Sequence, residues 1–466
     1  MSQVTTEIKR AYRFALDVGP TQIEILQRYA TASRCAYNFA HAFFLAHDRM
    51  WERGRNVLMA GGMDRREATA KAPKVKRPGR NHAQAFWRAT HGEPFIGPLR
   101  EGEERRPVFA WWEKVHNRAY YTAFEDAAVA WQNHMNSRTG RRAGAMMGKP
   151  HFKAQGRCRE SFRIVHDVKN PSIRFTGPRR LRIPGGGGQA AFTVRLHQKA
   201  ASLIALIEEG TAVITSVTVT RHAHRWYASV LCTVHQHIPD QPTRRQRAAG
   251  RVGADLGVLN RLALTDPLTL TAGQDPQTLI GKPHYVASTE RKLLRAERQM
   301  ARRRVKGAEQ QSKGYEEAKA KVAKLKAQLA MRRASNLHLI SKRLVQQYGE
   351  IALETLNVKG MTSSAKGIVE NPGRNVRAKA GLNRAILEAS FGELNRQIEY
   401  KARWHAVTIA RVPTYFASSR LCSNCGWKNT TQTLKDRTFR CLECNMVLDR
   451  DLNAARNIKK HAVPVQ

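Results

Sequence analysis

The chain has 466 residues, enough for two to four domains, and carries 80 Lys and Arg against 37 Asp and Glu, a formal net charge of +43. Such an excess would repel itself without a counter-charge and points to a polyanionic partner, nucleic acid first. No apolar run reaches the roughly 18 residues of a membrane-spanning helix, and the opening MSQVTTEIKRAYRF has no apolar signal-peptide core, so the expected setting is cytoplasmic.

In chain order, AYRFALDV near the start reads as a strand. From Pro20 to about Gly54, apolar residues recur at helical spacing: Ile23, Leu26 and Tyr29, then Tyr37, Ala40 and Phe44. Residues 61–107 read as loop, with KAPKVKRPGR as a basic hinge or contact. Val108 to about Ser137 reads as one or two amphipathic helices whose aromatics suit a core. Pro150 opens a different regime. ESFRIVHDV, IRFTG, LRIPG, AAFTVRL, AVITSVTVTRH and RWYASVLCTVHQ are short β-type runs punctuated by Gly and Pro, which suggests a small β-barrel or sandwich with the helices inserted in it. DQPTRRQRAAGR reads as a linker.

The second half alternates strands and helices, a pattern of α/β architecture. RVGADLGV and NRLALTD read as strands. Residues 285–346 form a long helical pattern broken at GAEQQSKG, with Val322, Leu325 and Leu329 and then Leu337, Ile340 and Leu344 on one stripe, as in a basic antiparallel helical hairpin. EIALETLNV is a strand, 381–404 a helix, AVTIARV a strand and DLNAARNIKK a closing helix.

Of seven cysteines, Cys35, Cys158 and Cys232 lie far apart with no pairing pattern, which argues against a secreted disulfide framework. The other four form C-x2-C-x15-C-x2-C: Cys422, Cys425, Cys441 and Cys444. Two chelating thiolate pairs suit tetrahedral Zn²⁺, and four protein ligands make the site closed and structural.

Three acids stand out in so basic a chain. Asp255 in VGADLG shares its strand face with Gly253 and Gly257, a bare backbone beside which a metal and a phosphate could approach closely. Glu354 lies on a strand opposite the Ile351 and Leu353 face and beside Ala352. Asp451 opens the last helix, where free N–H groups favour an anion, and Asp449 competes for its role. Separated hard oxygen donors suit Mg²⁺ or Mn²⁺, and two such ions can activate water and stabilise the leaving oxygen of a phosphodiester.

VGADLGVLNRLALTD, IALETLNVKGM and DRDLNAARNI resemble the three motifs of a RuvC-type nuclease core of RNase H-like fold. The motif order, with a cysteine ribbon before the third, is similar to transposon-encoded TnpB proteins and the compact type V CRISPR effectors descended from them. SRCAYN at 33–38, GKPHFK at 148–153, YKARWHAVTIARV from Tyr400 and SSRLCSNCG at 418–426 agree with it. The long 61–107 segment departs from the shortest members.

The resemblance implies that Asp255, Glu354 and Asp451 are the catalytic acids and Mg²⁺ (or Mn²⁺) ligands, which selects Asp451 over Asp449. It implies a guide RNA that pairs with one strand of a target DNA after the protein reads a short flanking motif, with cutting at a single site. It further implies a multidomain α+β and α/β architecture. A β-barrel wedge domain would occupy 1–19 and 150–245, a helical recognition domain 20–149 and a linker 246–251. A RuvC-like core would occupy 252–415 and 446–466, with the basic hairpin 285–346 inserted, and a zinc ribbon 416–445. The setting is a bacterial or archaeal cytoplasm. Two other functions fit the motifs: an RNA-guided DNA binder that represses without cutting, and a transposition-associated strand-transfer protein. A stand-alone junction resolvase has no need of so long a basic N-terminal half.

Overall fold

Pro20 sets the first turn of a long helix, because its ring fixes a helical φ and its missing N–H would have had no intrahelical partner. In this computed structural model, β1 (Thr5–Asp17) therefore runs straight into α1 (Pro20–Ala60). The structure describes residues 5–72, 78–90, 114–169, 171–186, 190–368, 370–433 and 436–465. They form two units, Glu7–Gln236 and one made chiefly of His237–Gln466.

In the first unit, α1 is followed by α2 (Arg65–Lys71), α3 (Arg80–Thr90) and α4 (Asn117–Arg138). The expected loop after residue 60 thus holds two helices over its described part. Asp64 caps α2 by accepting from the Arg66 and Glu67 amides, and Ala83 and Trp87 bury one face of α3. The middle of KAPKVKRPGR (73–77) and residues 91–113 lie outside the described residues. Strands β2 (Ser161–Val165), β3 (Arg174–Gly177), β4 (Arg180–Ile183), β5 (Phe192–Leu196), β6 (Ala212–His222) and β7 (Arg225–His237) join β1 in a seven-stranded sheet, ordered β2-β6-β7-β1-β5-β4-β3. A helix absent from the sequence reading, α5 (Ala201–Glu208), precedes β6. Its ASLIALIE is too apolar for a clear stripe. Helices and sheet share one core, in which the Tyr29 hydroxyl donates to the Pro184 carbonyl at 2.6 Å.

The second unit opens with α6 (Arg244–Ala249), where a linker was expected at 246–251. Thr243 and Gln246 form a capping box, and the buried Gln246 amide donates to the Val345 carbonyl at 2.6 Å. Then come β8 (Arg251–Asp255), β9 (Leu262–Leu268), β10 (Gln277–Ile280), α7 (His284–Arg303) and α8 (Lys313–Gln347). Pairs Lys326–Glu297 and Arg333–Glu290 run in opposite senses along α7 and α8, so the two helices are antiparallel. Next are β11 (Glu350–Glu354), α9 (Val358–Met361), α10 (Val376–Ala389), α11 (Phe391–Trp404) and β12 (Thr408–Val412). The single helix expected over 381–404 is broken, because Ser390 takes a left-handed φ of 60°. A small hairpin of β13 (Thr438–Arg440) and β14 (Val447–Asp449) leads to α12 (Arg450–His461) and β15 (Val463–Pro464). Among the described residues no helix is long and apolar enough to cross a membrane.

The six-stranded sheet has the order β10-β9-β8-β11-β12-β15, with β8, β11 and β12 parallel and the others antiparallel to their neighbours. Val252, Ala254, Ile351 and Leu353 face a core with Leu344, Leu394 and Ile398 from α8 and α11. On the other face, Ala352, Ala410 and Val412 pack against Ile458 of α12 and Ala462.

That second face corrects one expectation. The bare backbone at Gly253 is not left open for a ligand. A Cβ there would lie 2.1 Å from the Ala455 carbonyl oxygen and 2.9 Å from the Lys459 nitrogen, so α12 fills the space. Arg251 fixes the far end of the helix by donating to the Lys459 and Ala462 carbonyls at 3.2 and 3.1 Å. Gly253→Ala should therefore destabilise the unit by about 1–3 kcal/mol or more, since backbone cannot yield as a side chain can. Gly381→Ala, in an α10 position with nothing within 4 Å, should instead stabilise by up to about 1 kcal/mol. Denaturant titration of both variants checks the contrast, and equal shifts would remove the packing argument.

Candidate metal centres

Asp255 and Glu354 end two adjacent parallel strands. The register pairs Ala352 with Gly253 and Leu353 with Ala254, so the next residues, Glu354 and Asp255, leave the sheet side by side. Asp451 reaches them from the first turn of α12 and is 9% exposed. Burial raises the Asp255 pKa well above the usual carboxylate range, and the neighbouring charges of Glu354 and Asp451 raise it further. Burial also raises Glu354, opposed by a hydrogen bond from the Ser418 hydroxyl to its Oε1 at 2.6 Å. Asp451 Oδ2 accepts from Asn260 at 3.2 Å, and Oδ1 lies 3.4 Å from the Arg450 guanidinium. The three acids are thus brought to one end of the sheet. Among the described residues, only the four cysteines form a cluster with all ligand atoms within 4.8 Å, so the carboxylate group is looser than that.

Asp449 has a different job. Its Oδ1 accepts from the Asp451 and Leu452 amides at 2.9 and 3.1 Å, which makes it the N-cap of α12. It holds the turn that presents Asp451.

Cys422, Cys425, Cys441 and Cys444 converge as the spacing predicts. Two Sγ pairs lie 3.6 Å (Cys422–Cys444) and 3.5 Å (Cys425–Cys441) apart. Tetrahedral Zn²⁺ with bonds of about 2.3 Å needs roughly 3.8 Å between sulfurs, so the four thiols fit a zinc ion. Cys35, Cys158 and Cys232 stay apart from this cluster.

The link between the two centres was missed from sequence. On α12, Asn453 Nδ2 donates to the Leu421 carbonyl at 2.7 Å, and its Oδ1 accepts from the Ser423 amide at 3.0 Å. Asn457 Nδ2 donates to the Ser418 and Leu421 carbonyls at 2.8 and 2.7 Å. Both asparagines are buried, and together they fasten the loop that carries Ser418 and Cys422. The signal was available as polar residues at i and i+4 inside an otherwise apolar helix face. Arg411 adds a second clamp, donating to the Glu354 carbonyl at 2.7 Å and to Glu399 at 2.5 Å.

Two outcomes follow from this geometry. Cys422→Ser or Cys444→Ser should lower bound zinc from about one ion per chain and lower the Tm, because the loop tied to α12 loses its anchor. Elemental analysis with thermal unfolding checks this, and a zinc-free variant with wild-type stability would overturn it. Separately, a carboxyl whose pKa is raised on folding costs stability above the ordinary carboxylate range and costs nothing below it. The penalty at Asp255 should thus grow as pH rises through that range toward its raised pKa, then level off. In chelator, Asp255→Asn should have a higher Tm than wild type at neutral pH, with the gap closing in acid.

Two family models match the chain. The Cas12f1-like, TNB domain model covers residues 391–458, and the OrfB_IS605 model, described as "Probable transposase", covers residues 229–365. "Putative RNA-guided DNA endonuclease InsQ" of Escherichia coli (strain K12) is 32% identical over 248 residues, covering 53% of this chain and 56% of that protein. The similarly named MT2953 of Mycobacterium tuberculosis is 26% identical over 464 residues, 98% of this chain and 87% of that one. "TnpB-like protein MJ0751" of Methanocaldococcus jannaschii is 33% identical over 129 residues, 28% of this chain and 42% of that one. The chain spans little more than half of InsQ, and most of MT2953. The resemblance carried by the motifs is met by these matches: the chain is similar to TnpB-like proteins and to proteins named as putative RNA-guided DNA endonucleases, and its residues 391–458 match the Cas12f1-like, TNB domain model.

Proposed function

We propose that the chain is an RNA-guided DNA endonuclease that cuts at the site formed by Asp255, Glu354 and Asp451. The observation that carries this is the meeting of three acids, each from a different element, at one end of the β8-β11 pair in a chain of net charge +43. The relatives named as RNA-guided DNA endonucleases support the substrate class. The strand order, with three parallel strands flanked by an antiparallel pair, supports a RuvC-type core of RNase H-like fold over 252–415 and 446–466. In this reading the ribbon is 416–445, the wedge is a β-barrel from 1–19 and 150–245, and 20–149 is the recognition domain. The setting is cytoplasmic.

Mutually repelling carboxylates that are poorly solvated form a hard oxygen donor set, which fits Mg²⁺ or Mn²⁺. Asp255, Glu354 and Asp451 would hold the ions, which when bound supply a nucleophilic water and charge stabilisation for a displacement at phosphorus. The chain's own residues do the rest. Ser418 orients Glu354, Asn260 and Arg450 orient Asp451, and Asp449 fixes the helix turn that bears it. Lys and Arg bind the phosphate backbone of guide RNA and target DNA, while base pairing with the guide reads sequence and the protein reads a short flanking motif.

The OrfB_IS605 description favours a second reading, DNA strand transfer. It predicts joined rather than cut products from the same acids.

The test is expression with native flanking DNA. A discrete, structured RNA should co-purify, and the complex should cut DNA matching that RNA in Mg²⁺. Asp255→Ala, Glu354→Ala and Asp451→Ala should each slow cutting by several orders of magnitude while target binding persists. Asp449→Ala, which loses about 1 kcal/mol of capping, should slow it far less, and Asp449→Asn should restore it. Normal cutting by all three acid variants would end this reading.

A further inference from the structure

Just past Glu354 lies a cavity of about 500 Å³. Because β11 and β12 are parallel and in register, the segments that follow them leave the sheet at the same end, and between them they line it. Met361, Val412 and Pro413 supply apolar wall, Glu354 marks the edge nearest the other acids, and Tyr415 and Phe416 complete the lining. The two aromatic neighbours behave oppositely. Phe416 packs inward, its ring 5.3 Å from that of His461. Tyr415 is 90% exposed, and its φ of +67° is a left-handed conformation that bulky residues rarely adopt. Among the described residues no ring, cation or hydrogen-bond partner meets the Tyr415 side chain. The turn thus holds an aromatic face in water at the mouth of an apolar cavity.

We infer that this cavity is a nucleobase subsite, in which Tyr415 stacks on one unpaired DNA base next to the phosphate held at the carboxylates. The inference rests on the nuclease reading of those carboxylates, which makes the neighbouring ligand a DNA strand. The occupant follows from the surroundings. The cavity is continuous with Glu354, its size is that of an ordinary small-ligand pocket, and the chain's net charge of +43 favours a polyanion over an apolar peptide. An exposed aromatic face beside a basic surface is how single strands are held without sequence preference. Only an unpaired base can enter, since a paired one has both faces covered by its neighbours. Tyr415 would act by fixing the sugar–phosphate that follows the stacked base, so that one phosphate in the strand lies at the acids.

The purified chain is titrated, without divalent metal, into a short single-stranded oligothymidylate carrying one 2-aminopurine, whose fluorescence falls when it stacks. Wild type, Tyr415→Phe and Asp255→Ala should quench it. Tyr415→Ala and Tyr415→Gly should not, and their affinity should fall on the order of 5- to 150-fold. The glycine variant suits the positive φ, so its loss cannot come from backbone strain. Unchanged zinc content and Tm confirm folding. Equal quenching by all five proteins, or loss in Tyr415→Phe, would overturn the subsite. Binding of an apolar peptide that competes with no DNA would overturn it too. The outcome is separate from the nuclease reading. Normal cutting by all three acid variants ends that reading whatever Tyr415 does, and a quench that survives every Tyr415 variant ends only the subsite.

Discussion

Helix α12 lies against β8 so closely that residue 253 has no room for a side chain, and the placement of the second unit's acids and cysteines hangs on that approach. The Ala455 carbonyl would sit 2.1 Å from any Cβ at that position. The same helix carries Asp451 at its start, clamps the loop of Ser418 and Cys422 through Asn453 and Asn457, and covers Ala352 and Ala410 with Ile458. Moving the helix outward by the thickness of one methyl group would shift an acid, a cysteine cluster and a small core together. Interiors packed at crystal-like density transmit such shifts rather than absorb them.

The cluster of four cysteines then acts as a brace, and its value is positional. Among the described residues no hydrogen bond or ion pair joins the cysteines to the three acids, yet Ser418, the donor to Glu354, is held by Asn457 on the loop that leads to Cys422. Charge repulsion works against this arrangement. Asp255 carries a burial cost with two like-charged neighbours, opposed only in part by Arg450, while Asn260 and Ser418 donate instead to Asp451 and Glu354. Sites that hold a cation are commonly unfavourable without one, because the same oxygens that bind the ion repel each other.

What could be read from the sequence was local. Four cysteines at short, fixed spacing announce their site because each chelating pair lies within one turn of chain. Val252, Ala254, Ile351 and Leu353 gave their strands away by alternation, and Pro20 and the Asp449–Asp451 pair marked helix starts. Composition misled where it stood in for pattern. Arg-rich 244–249 looked like a linker, but a Thr243–Gln246 capping box and one buried glutamine make it a helix. Gly253 was recognised as special for the wrong reason, since its partner Ala455 is some two hundred residues away and no spacing rule reaches that far. The break at Ser390 and the outward turn of Tyr415 depend on backbone φ values that neither residue type favours.

The end of the six-stranded sheet has a bearing on how the chain behaves in a crowd. Strand β12 would otherwise present a free row of backbone donors and acceptors. It is covered by β15, just Val463 and Pro464, pairing with Arg411 and Ala410. A strand this short, ending in a residue with no N–H, satisfies its neighbour and offers almost nothing to the next chain. The sheet is therefore closed to self-templated growth on that side.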